Sequence, residues 1–216
     1  KIGVVDVGGG LRDVYAIGIF VIGLNNNIHI DVCIGVSAGS ANVASYITGQ
    51  KKRNYTFHTE YPFRKEYMSI RNFILKNLIL IRLRLRGSEQ FGRRKSPGFY
   101  QAVIKHSSEL IVVATDAITG KAKYFDKNDL KQDSYDIFKA SCAIPFVCRS
   151  YEVYGMPYFD GALGDTIPIK KAFEQGCDKV VPILTKSRDC IEHQIQTISL
   201  QIEFKKNPFA AERLRQ

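Results

Sequence analysis

The most constraining feature of the sequence is an alternation that occurs twice near its beginning, where a short apolar segment leads through glycines into a helical pattern. Residues 1–7, KIGVVDV, and 30–36, IDVCIGV, are apolar and β-branched, which is typical of buried strands. Residues 12–23 have helical spacing, and residues 37–49, rich in small side chains, also predict a helix. Two such units in succession predict an α/β fold, with a parallel sheet and crossover helices.

More elements of both kinds follow in the second half of the chain. We predict paired strands over 109–125 with a turn at Thr119–Gly120, a helix over 129–143, a hairpin over 150–162, a helix over 168–176 and a strand over 178–185. Residues 51–100 lack this periodicity, and we interpret them as a cap or a lipid-facing insertion. The basic tail, residues 186–216, receives no structural assignment.

Length and composition favour one globular unit. We expect residues 1–216 to form a single domain, since 216 residues can bury a substantial core. Hydrophobic residues make up 45% and charged residues 24%, which is typical of soluble proteins. Without a bilayer-length apolar run or a secretory signal, we expect a cytoplasmic protein, at most peripheral to a membrane. Because the chain begins without Met and ends on AERLRQ, we expect it to be trimmed at one or both ends.

The cysteines are dispersed and show no Cys-x-x-Cys spacing, which argues against a zinc site and against a dense disulfide framework. We therefore predict free thiols in a reducing compartment, mostly buried, and no bound metal. The five residues are Cys33, Cys142, Cys148, Cys177 and Cys190.

The net charge of +10 fits either attraction to an anionic surface or simple solubility. No nucleic-acid-binding motif is present, so we expect no nucleic-acid partner. Residues 77–87, NLILIRLRLRG, alternate Leu or Ile with Arg. This segment is either an interfacial element that contacts anionic headgroups or a solvated cap over the site.

The segment GVSAG, residues 35–39, places a serine between a predicted strand and a predicted helix. A nucleophilic serine on such a sharp turn needs neighbours with almost no side chain, which Gly35 and Gly39 provide. The helix that follows directs its N-terminal amides and positive dipole end at a developing anion. The alternative is a plain strand-to-helix turn in which Ser37 is the N-cap.

Three consecutive glycines, Gly8, Gly9 and Gly10, follow the first predicted strand. An acyl-transfer enzyme needs backbone N–H groups directed at the carbonyl oxygen as it becomes negative, and these glycines are candidates, with Arg12 nearby. A phosphate-binding loop would need G-x-x-x-x-G-K-[ST] or G-x-G-x-x-G, and neither pattern is present. The sequence therefore argues against nucleotide binding, and we expect no cofactor.

A nucleophilic serine needs a general base, and the candidates in this sequence are a carboxylate and the histidines. We expect all four histidines to lie at the surface; they are His29, His58, His106 and His193. Asp160, in YFDGALGD, lies at the exit of a predicted hairpin in an aromatic stretch and is the better candidate. Its alternative role is that of an ordinary Asp-Gly turn.

Together these segments resemble the patatin-like phospholipase family. DVGGGLR, GVSAG and DGA occur in the family's order, and ATDAITGKAKYF and KASCAIPFV resemble segments that members carry between nucleophile and aspartate. The resemblance covers roughly residues 3–185. It departs from the family pattern at Asp13, where many members have glycine, and it is weak over 51–100 and after Lys186.

The resemblance implies a three-layer α/β/α fold with a mostly parallel central sheet. It implies a Ser-Asp dyad without histidine, in which Ser37 is the nucleophile and Asp160 the base, beside a glycine-rich oxyanion hole. The implied substrate is a phospholipid or another fatty-acyl ester, cleaved through an acyl-enzyme intermediate.

Two other functions remain open at this point. The order Ser37, Asp160, His193 permits an α/β-hydrolase-type esterase with a catalytic triad. A non-catalytic protein that binds lipid surfaces is the second alternative. Headgroup, chain length and oligomeric state are not specified by the sequence.

Overall fold

We describe the chain from a computed structural model, which covers residues 1–51, 53–60, 98–132, 134–146 and 148–186. A seven-stranded sheet forms its centre. The strands are β1 (Ile2–Asp6), β2 (Val32–Val36), β3 (Glu109–Asp116), β4 (Ala122–Phe125), β5 (Tyr151–Val153), β6 (Met156–Asp160) and β7 (Lys179–Ile183). The α-helices are α1 (Val14–Asn25), α2 (Ala38–Ile47), α3 (Arg53–Thr59), α4 (Phe99–Lys105), α5 (Asp136–Ser141) and α6 (Ile169–Glu174). Short 3₁₀ turns lie at Gly10–Asp13, Lys127–Asp129 and Gly161–Leu163.

The strand order is β5-β6-β3-β2-β1-β7, with β4 also paired to β3. Strands β7, β1, β2 and β3 are mutually parallel, whereas β4, β5 and β6 are joined by antiparallel pairing. The mostly parallel α/β fold predicted from the alternation of strands and helices is confirmed.

Strand β3 is paired along both of its edges. Strand β4 pairs with residues 112–115, β2 with residues 109–113 and β6 with residues 114–116. Some β3 residues that pair with β4 also pair with β2, and others also pair with β6. Since a strand has one neighbour on each edge, β2 and β6 must both lie along the edge of β3 opposite β4. Since β2 runs parallel and β6 antiparallel to β3, the carboxyl ends of β2 and β6 meet on this edge.

The register fixes where the two carboxyl ends meet. Val36, the last residue of β2, is opposite Val113, and Asp160, the last residue of β6, is opposite Ala114. The backbone pairing therefore brings Ser37, which follows β2 directly, next to Asp160.

Side chains alternate between the two faces of the sheet, as strand geometry requires. On one face Val4, Cys33 and Val112 pack against side chains of α1, α2, α4 and α5. On the other face Ile34 packs in a cluster with Ala172 of α6. Both faces of the parallel strands are thus covered, which explains why their sequences are almost continuously apolar.

Several local predictions need correction. The helix predicted over 129–143 is confined to Asp136–Ser141, since residues 127–129 form a 3₁₀ turn that begins with a capping box at Asp126. Of the predicted insertion 51–100, only α3 and the residues near the start of α4 are described, and NLILIRLRLRG lies outside the described residues. The same holds for the tail beyond Lys186. Within the described ranges, no helix has the length and apolar character needed to cross a bilayer.

Gly35 gives a direct test of this packing. A Cβ at this position would lie 2.3 Å from the Cα of Ser40, and backbone at that distance cannot move aside. We expect Gly35→Ala to lower the free energy of unfolding by about 3 kcal/mol, as overpacking does in tight cores, measured by urea denaturation.

Gly18 is the matched control, because it lies exposed within α1 and a Cβ there would have no atom within 4 Å. Gly18→Ala should raise stability by about 0.5–1 kcal/mol through helix propensity. Equal stabilities of Gly35→Ala and the wild type would contradict the packing described here.

Candidate active site

Ser37 occupies a strained turn between β2 and α2. Its backbone angles are φ 54° and ψ −128°, a conformation that a residue with a side chain rarely adopts. Gly35 and Gly39 make the turn possible, since a Cβ on Gly39 would lie 2.5 Å from the carbonyl oxygen of Asp6. Gly35 and Gly39 thus lie where the sequence predicted that neighbours without side chains are needed, on both sides of a half-buried serine turn.

Two other serines hold this turn in place. The N–H of Ser37 donates to Oγ of Ser141 at 2.9 Å, and Ser141 in turn donates to the carbonyl of Val113 on β3 at 2.6 Å. Ser40 donates from its hydroxyl to the Ser37 carbonyl at 2.6 Å. The strained backbone is therefore tied to both the sheet and the first turn of α2.

Asp160 lies within hydrogen-bonding distance of the serine. Oγ of Ser37 donates to Oδ2 of Asp160 at 2.6 Å, and Oδ1 accepts from the N–H of Ala162 at 3.0 Å. The main chain of Asp160 is held by Thr115, whose hydroxyl donates to the Asp160 carbonyl, and by the Ala143 carbonyl, which accepts its N–H. Each oxygen of the carboxyl group has one donor, which fixes its orientation.

Asp160 is buried, with only 5% of the residue exposed to solvent. This burial raises the pKa of Asp160 to about 6, against the smaller opposing effect of the hydrogen bonds from Ser37 and Ala162. A carboxylate with this pKa is ionised at neutral pH and is a stronger base than a solvated aspartate. The serine and the aspartate are thus arranged for proton transfer.

The glycine loop, Gly8–Gly10, lies against the serine turn. All three glycines have positive φ, at 70°, 133° and 61°. A Cβ on Gly8 would lie 2.3 Å from the carbonyl oxygen of Val36, so the loop approaches the end of β2 as closely as backbone can.

The amides of the glycine loop have different environments. The N–H of Gly8 donates to Oδ1 of Asp6 at 3.1 Å and so already has an acceptor, and the assignment of Gly8 as an oxyanion donor stays a prediction. The N–H groups of Gly9 and Gly10 have no hydrogen-bond acceptor within the part of the chain that the structure describes. Of the three loop amides, these two are therefore the candidates, within the described residues, for binding a ligand oxygen.

Side chains from three other segments contact the loop. Thr185, just after β7, donates to the Gly8 carbonyl at 2.5 Å. The guanidinium of Arg12 lies over Gly9, because a Cβ there would be 3.5 Å from Nη2 of Arg12. The ring of His58 is within hydrogen-bonding reach of the Gly10 backbone, and burial lowers the pKa of this histidine.

The histidines are distributed differently from what was expected. His58 is 7% exposed and faces the loop, so its prediction as a surface residue is wrong. His29 is exposed and His106 is partly exposed, whereas His193 lies outside the described residues. In the described ranges, no three His, Cys, Asp or Glu side chains cluster as metal ligands do.

The family model for patatin-like phospholipases matches residues 7–173, which include the glycine loop, Ser37 and Asp160. The chain belongs to this family. Patatin-like phospholipases are lipid acyl hydrolases, and the central mixed sheet agrees with their α/β/α architecture.

One similar protein is the uncharacterized protein YjjU of Escherichia coli strain K12. It is 26% identical over 200 residues, which cover 86% of this chain and 52% of YjjU. The chain therefore spans about half the length of this relative.

Sequence reasoning missed several residues of this patatin-like site. Ser141 lies in KASCAIPFV, one of the segments that resembled the family, but its role as an acceptor for the Ser37 amide depends on how α5 packs on β3. Asp6, Asn42 and Thr185 also escaped notice. Asp6 could have been noticed in the sequence, because a charged residue at the end of an otherwise apolar strand must be either exposed or hydrogen-bonded.

The raised pKa of Asp160 makes stability depend on pH. The folded chain keeps the Asp160 proton up to about pH 6 whereas the unfolded chain releases it at the ordinary aspartate value of 3.8, so stability is lost as the pH rises between these values. We expect Asp160→Asn to be more stable than the wild type by about 3 kcal/mol at pH 8.

Urea denaturation of both proteins at two pH values checks this expectation. The difference should nearly vanish at about pH 3, which lies below both pKa values, so that the wild-type carboxyl is protonated in both states. A difference of the same size at both pH values would show that the effect does not come from the charge of Asp160.

Proposed function

We propose that this chain hydrolyses fatty-acyl esters through a dyad of Ser37 and Asp160. The observation that carries the proposal is the 2.6 Å hydrogen bond from Ser37 to Asp160, made by a serine on a strained turn to a buried carboxyl with a pKa of about 6. Family membership supplies the substrate class, an acyl ester of a lipid.

In the first half of the reaction Oγ of Ser37 attacks the ester carbonyl carbon while Asp160 accepts its proton. The carbonyl oxygen becomes negative, and the N–H groups of Gly9 and Gly10 stabilise it. The C–O bond to the alcohol then breaks, and the alcohol leaves with the proton from Asp160. The acyl group remains on Ser37 as an ester.

In the second half Asp160 accepts a proton from water as the water oxygen attacks the acyl carbon. The same amides stabilise the second tetrahedral intermediate. When it collapses, the proton returns from Asp160 to Oγ and the fatty acid is released. One carboxyl group thus acts as base and acid in turn.

A dyad is favoured over a triad by the partner of the serine hydroxyl. In a triad the hydroxyl is bound by a histidine, and the aspartate contacts only that histidine. Here the Ser37 hydroxyl is bound directly by Asp160, whose second oxygen accepts from the Ala162 amide. A non-catalytic lipid-binding role gains no specific support from the Ser37–Asp160 pair.

The surroundings of the dyad suit an apolar substrate. Leu11, next to the glycine loop, is 46% exposed. Ile144 and Phe146 follow Ala143, the residue that binds the Asp160 amide, and are 44% and 52% exposed. These exposed side chains, which lie close in sequence to the glycine loop and to the residue that binds Asp160, offer apolar surface to an acyl chain.

Substitution of the dyad tests the reaction. We expect Ser37→Ala and Asp160→Asn each to lower kcat/KM for a soluble p-nitrophenyl ester by about 10³-fold or more, because each removes a partner of one proton transfer. A fluorophosphonate probe should label the wild type, and mass mapping should place the label on Ser37.

His193→Ala is the matched control, since a triad would lose about 10⁴-fold and the dyad should lose less than about twofold. The wild-type kcat/KM should also rise with pH with a midpoint near the Asp160 pKa of about 6. Full activity of folded Ser37→Ala, or a label on another residue, would contradict the dyad.

Attraction to an anionic membrane surface is the second part of the proposal. It rests on the net charge of +10 together with the exposed apolar side chains beside the dyad. We expect hydrolysis of phospholipid vesicles to rise about tenfold when anionic lipid is added and to fall again at about 0.5 M salt.

Turnover of a soluble ester at the same two salt concentrations is the control, because it needs no membrane. It should change little. Equal rates on neutral and anionic vesicles would remove the membrane part of the proposal and leave the dyad untouched.

A further inference from the structure

Two acidic residues lie completely buried at the two ends of the glycine loop. Asp6 ends β1 just before the loop, and Asp13 ends the 3₁₀ turn just after it. Each has 0% exposure. Buried carboxyl groups are costly unless they are neutral or well paired, so this pair needs an explanation.

Both carboxyl groups share one donor. Nδ2 of Asn42, on α2, donates to Oδ2 of Asp13 at 2.8 Å and lies 3.2 Å from Oδ2 of Asp6. The orientation of the Asn42 amide is fixed by Asn54, which donates to its Oδ1 at 2.8 Å. Two carboxyl oxygens within 3.2 Å of one nitrogen lie close together, and two full negative charges there would repel strongly.

The charged and titratable groups around the pair do not neutralise it. Arg12 is exposed over Gly9, Arg53 on α3 stacks on the Phe99 ring at 4.4 Å, and His58 faces Gly10. The thiol of Cys142, after α5, lies near Asp13 and Asp160 and is protonated, since burial first and these charges next raise its pKa. Among the described residues, none of the salt bridges includes Asp6 or Asp13.

The oxygens of Asp13 indicate where a proton resides. Its Oδ1 is buried and accepts no hydrogen bond from any residue that the structure describes, which is unfavourable for a carboxylate oxygen. The two carboxyl groups are within hydrogen-bonding reach, so that a protonated Asp13 can donate to Asp6. Burial, followed by the charge of Asp6, raises the pKa of Asp13 well above that of Asp6.

The geometry points to Asp6 and Asp13 as positioning residues that share one proton, and to this singly charged pair as the clamp that holds the glycine loop for catalysis. The ionised Asp6 accepts the Gly8 amide at 3.1 Å, and the neutral Asp13 closes the other end of the loop through Asn42. Loss of the shared proton would push the two ends apart and displace Gly9 and Gly10. The catalytic part of this inference rests on the function proposed above, whereas the shared proton does not.

The shared proton is tested without any activity assay. In wild-type protein labelled with carboxyl-¹³C aspartate, one resonance should keep the chemical shift of a protonated acid at about pH 8, where Asp160 is ionised, and Asp13→Asn should lack it. Between about pH 7 and 8, the equilibrium constant for unfolding should also rise with pH in the wild type. For each pH unit, this rise should be about tenfold larger than in Asp13→Asn. Absence of both effects would overturn the inference.

The clamp is tested by the behaviour of the loop. The ¹⁵N–¹H resonances of Gly8–Gly10 should shift in the wild type as the pair loses its proton at alkaline pH, and should stay constant in Asp13→Asn, where a neutral amide replaces the neutral acid. The wild-type kcat/KM should decline over the same pH range, whereas Asp13→Asn should keep activity within about threefold at pH 7 and show no decline.

Asp116→Asn is the matched control, because Asp116 is an acid of the described chain whose oxygen only accepts two turn amides. The Asp116→Asn variant should show the same dependence of the loop resonances and of kcat/KM on pH as the wild type. The clamp is refuted if the shared proton is present but Asp13→Asn shows the same shift of the loop resonances and the same decline of kcat/KM at alkaline pH as the wild type. If the wild type hydrolyses no ester at all, the proposed function fails, while the resonances still decide the clamp.

Discussion

The site depends on the meeting of two strand ends on one edge of β3. Strand β2 stops at Val36 and β6 stops at Asp160, opposite neighbouring residues of β3. The hydrogen bond between Ser37 and Asp160 joins residues 123 positions apart, and no loop has to reach across to form it. Sheet pairing fixes both partners, so the separation of hydroxyl and carboxyl is set by the most rigid part of the fold.

This arrangement places polar groups where folding favours apolar ones. Asp6 and Asp160 are buried at the carboxyl ends of β1 and β6, and Asp13 is buried at the end of the 3₁₀ turn, whereas Val, Ile and Leu side chains occupy the middle of the sheet. Each buried acid lowers stability at neutral pH, and the strained φ of Ser37 lowers it further. The apolar packing on both faces of the sheet has to compensate for this loss of stability.

The fold was predictable from sequence because its strands are short, β-branched and buried on both faces, and because the glycine turns mark their ends. Ser37 was predictable from its flanking glycines. Asp160 was preferred to the histidines from its place at the exit of a predicted hairpin, but its closeness to Ser37 could not be read from spacing, since strand pairing brings the two together. The helix expected over 129–143 failed where Asp126 caps a separate 3₁₀ turn, and the burial of His58 was hidden because α3 lies in a segment without periodicity.

In the proposed reaction, the carboxyl group of Asp160 and the glycine loop depend on each other for an electrostatic reason. A single carboxylate must be basic enough to accept the serine proton yet ionised at neutral pH, and a pKa of about 6 is a compromise between these demands. Such a base leaves much of the barrier to be lowered by the amides that face the oxyanion. Gly8 donates its amide to Asp6 and so anchors the loop, and in the proposed mechanism Gly9 and Gly10 are the donors to the oxyanion. The weaker the base, the more the reaction depends on how firmly those two amides are held.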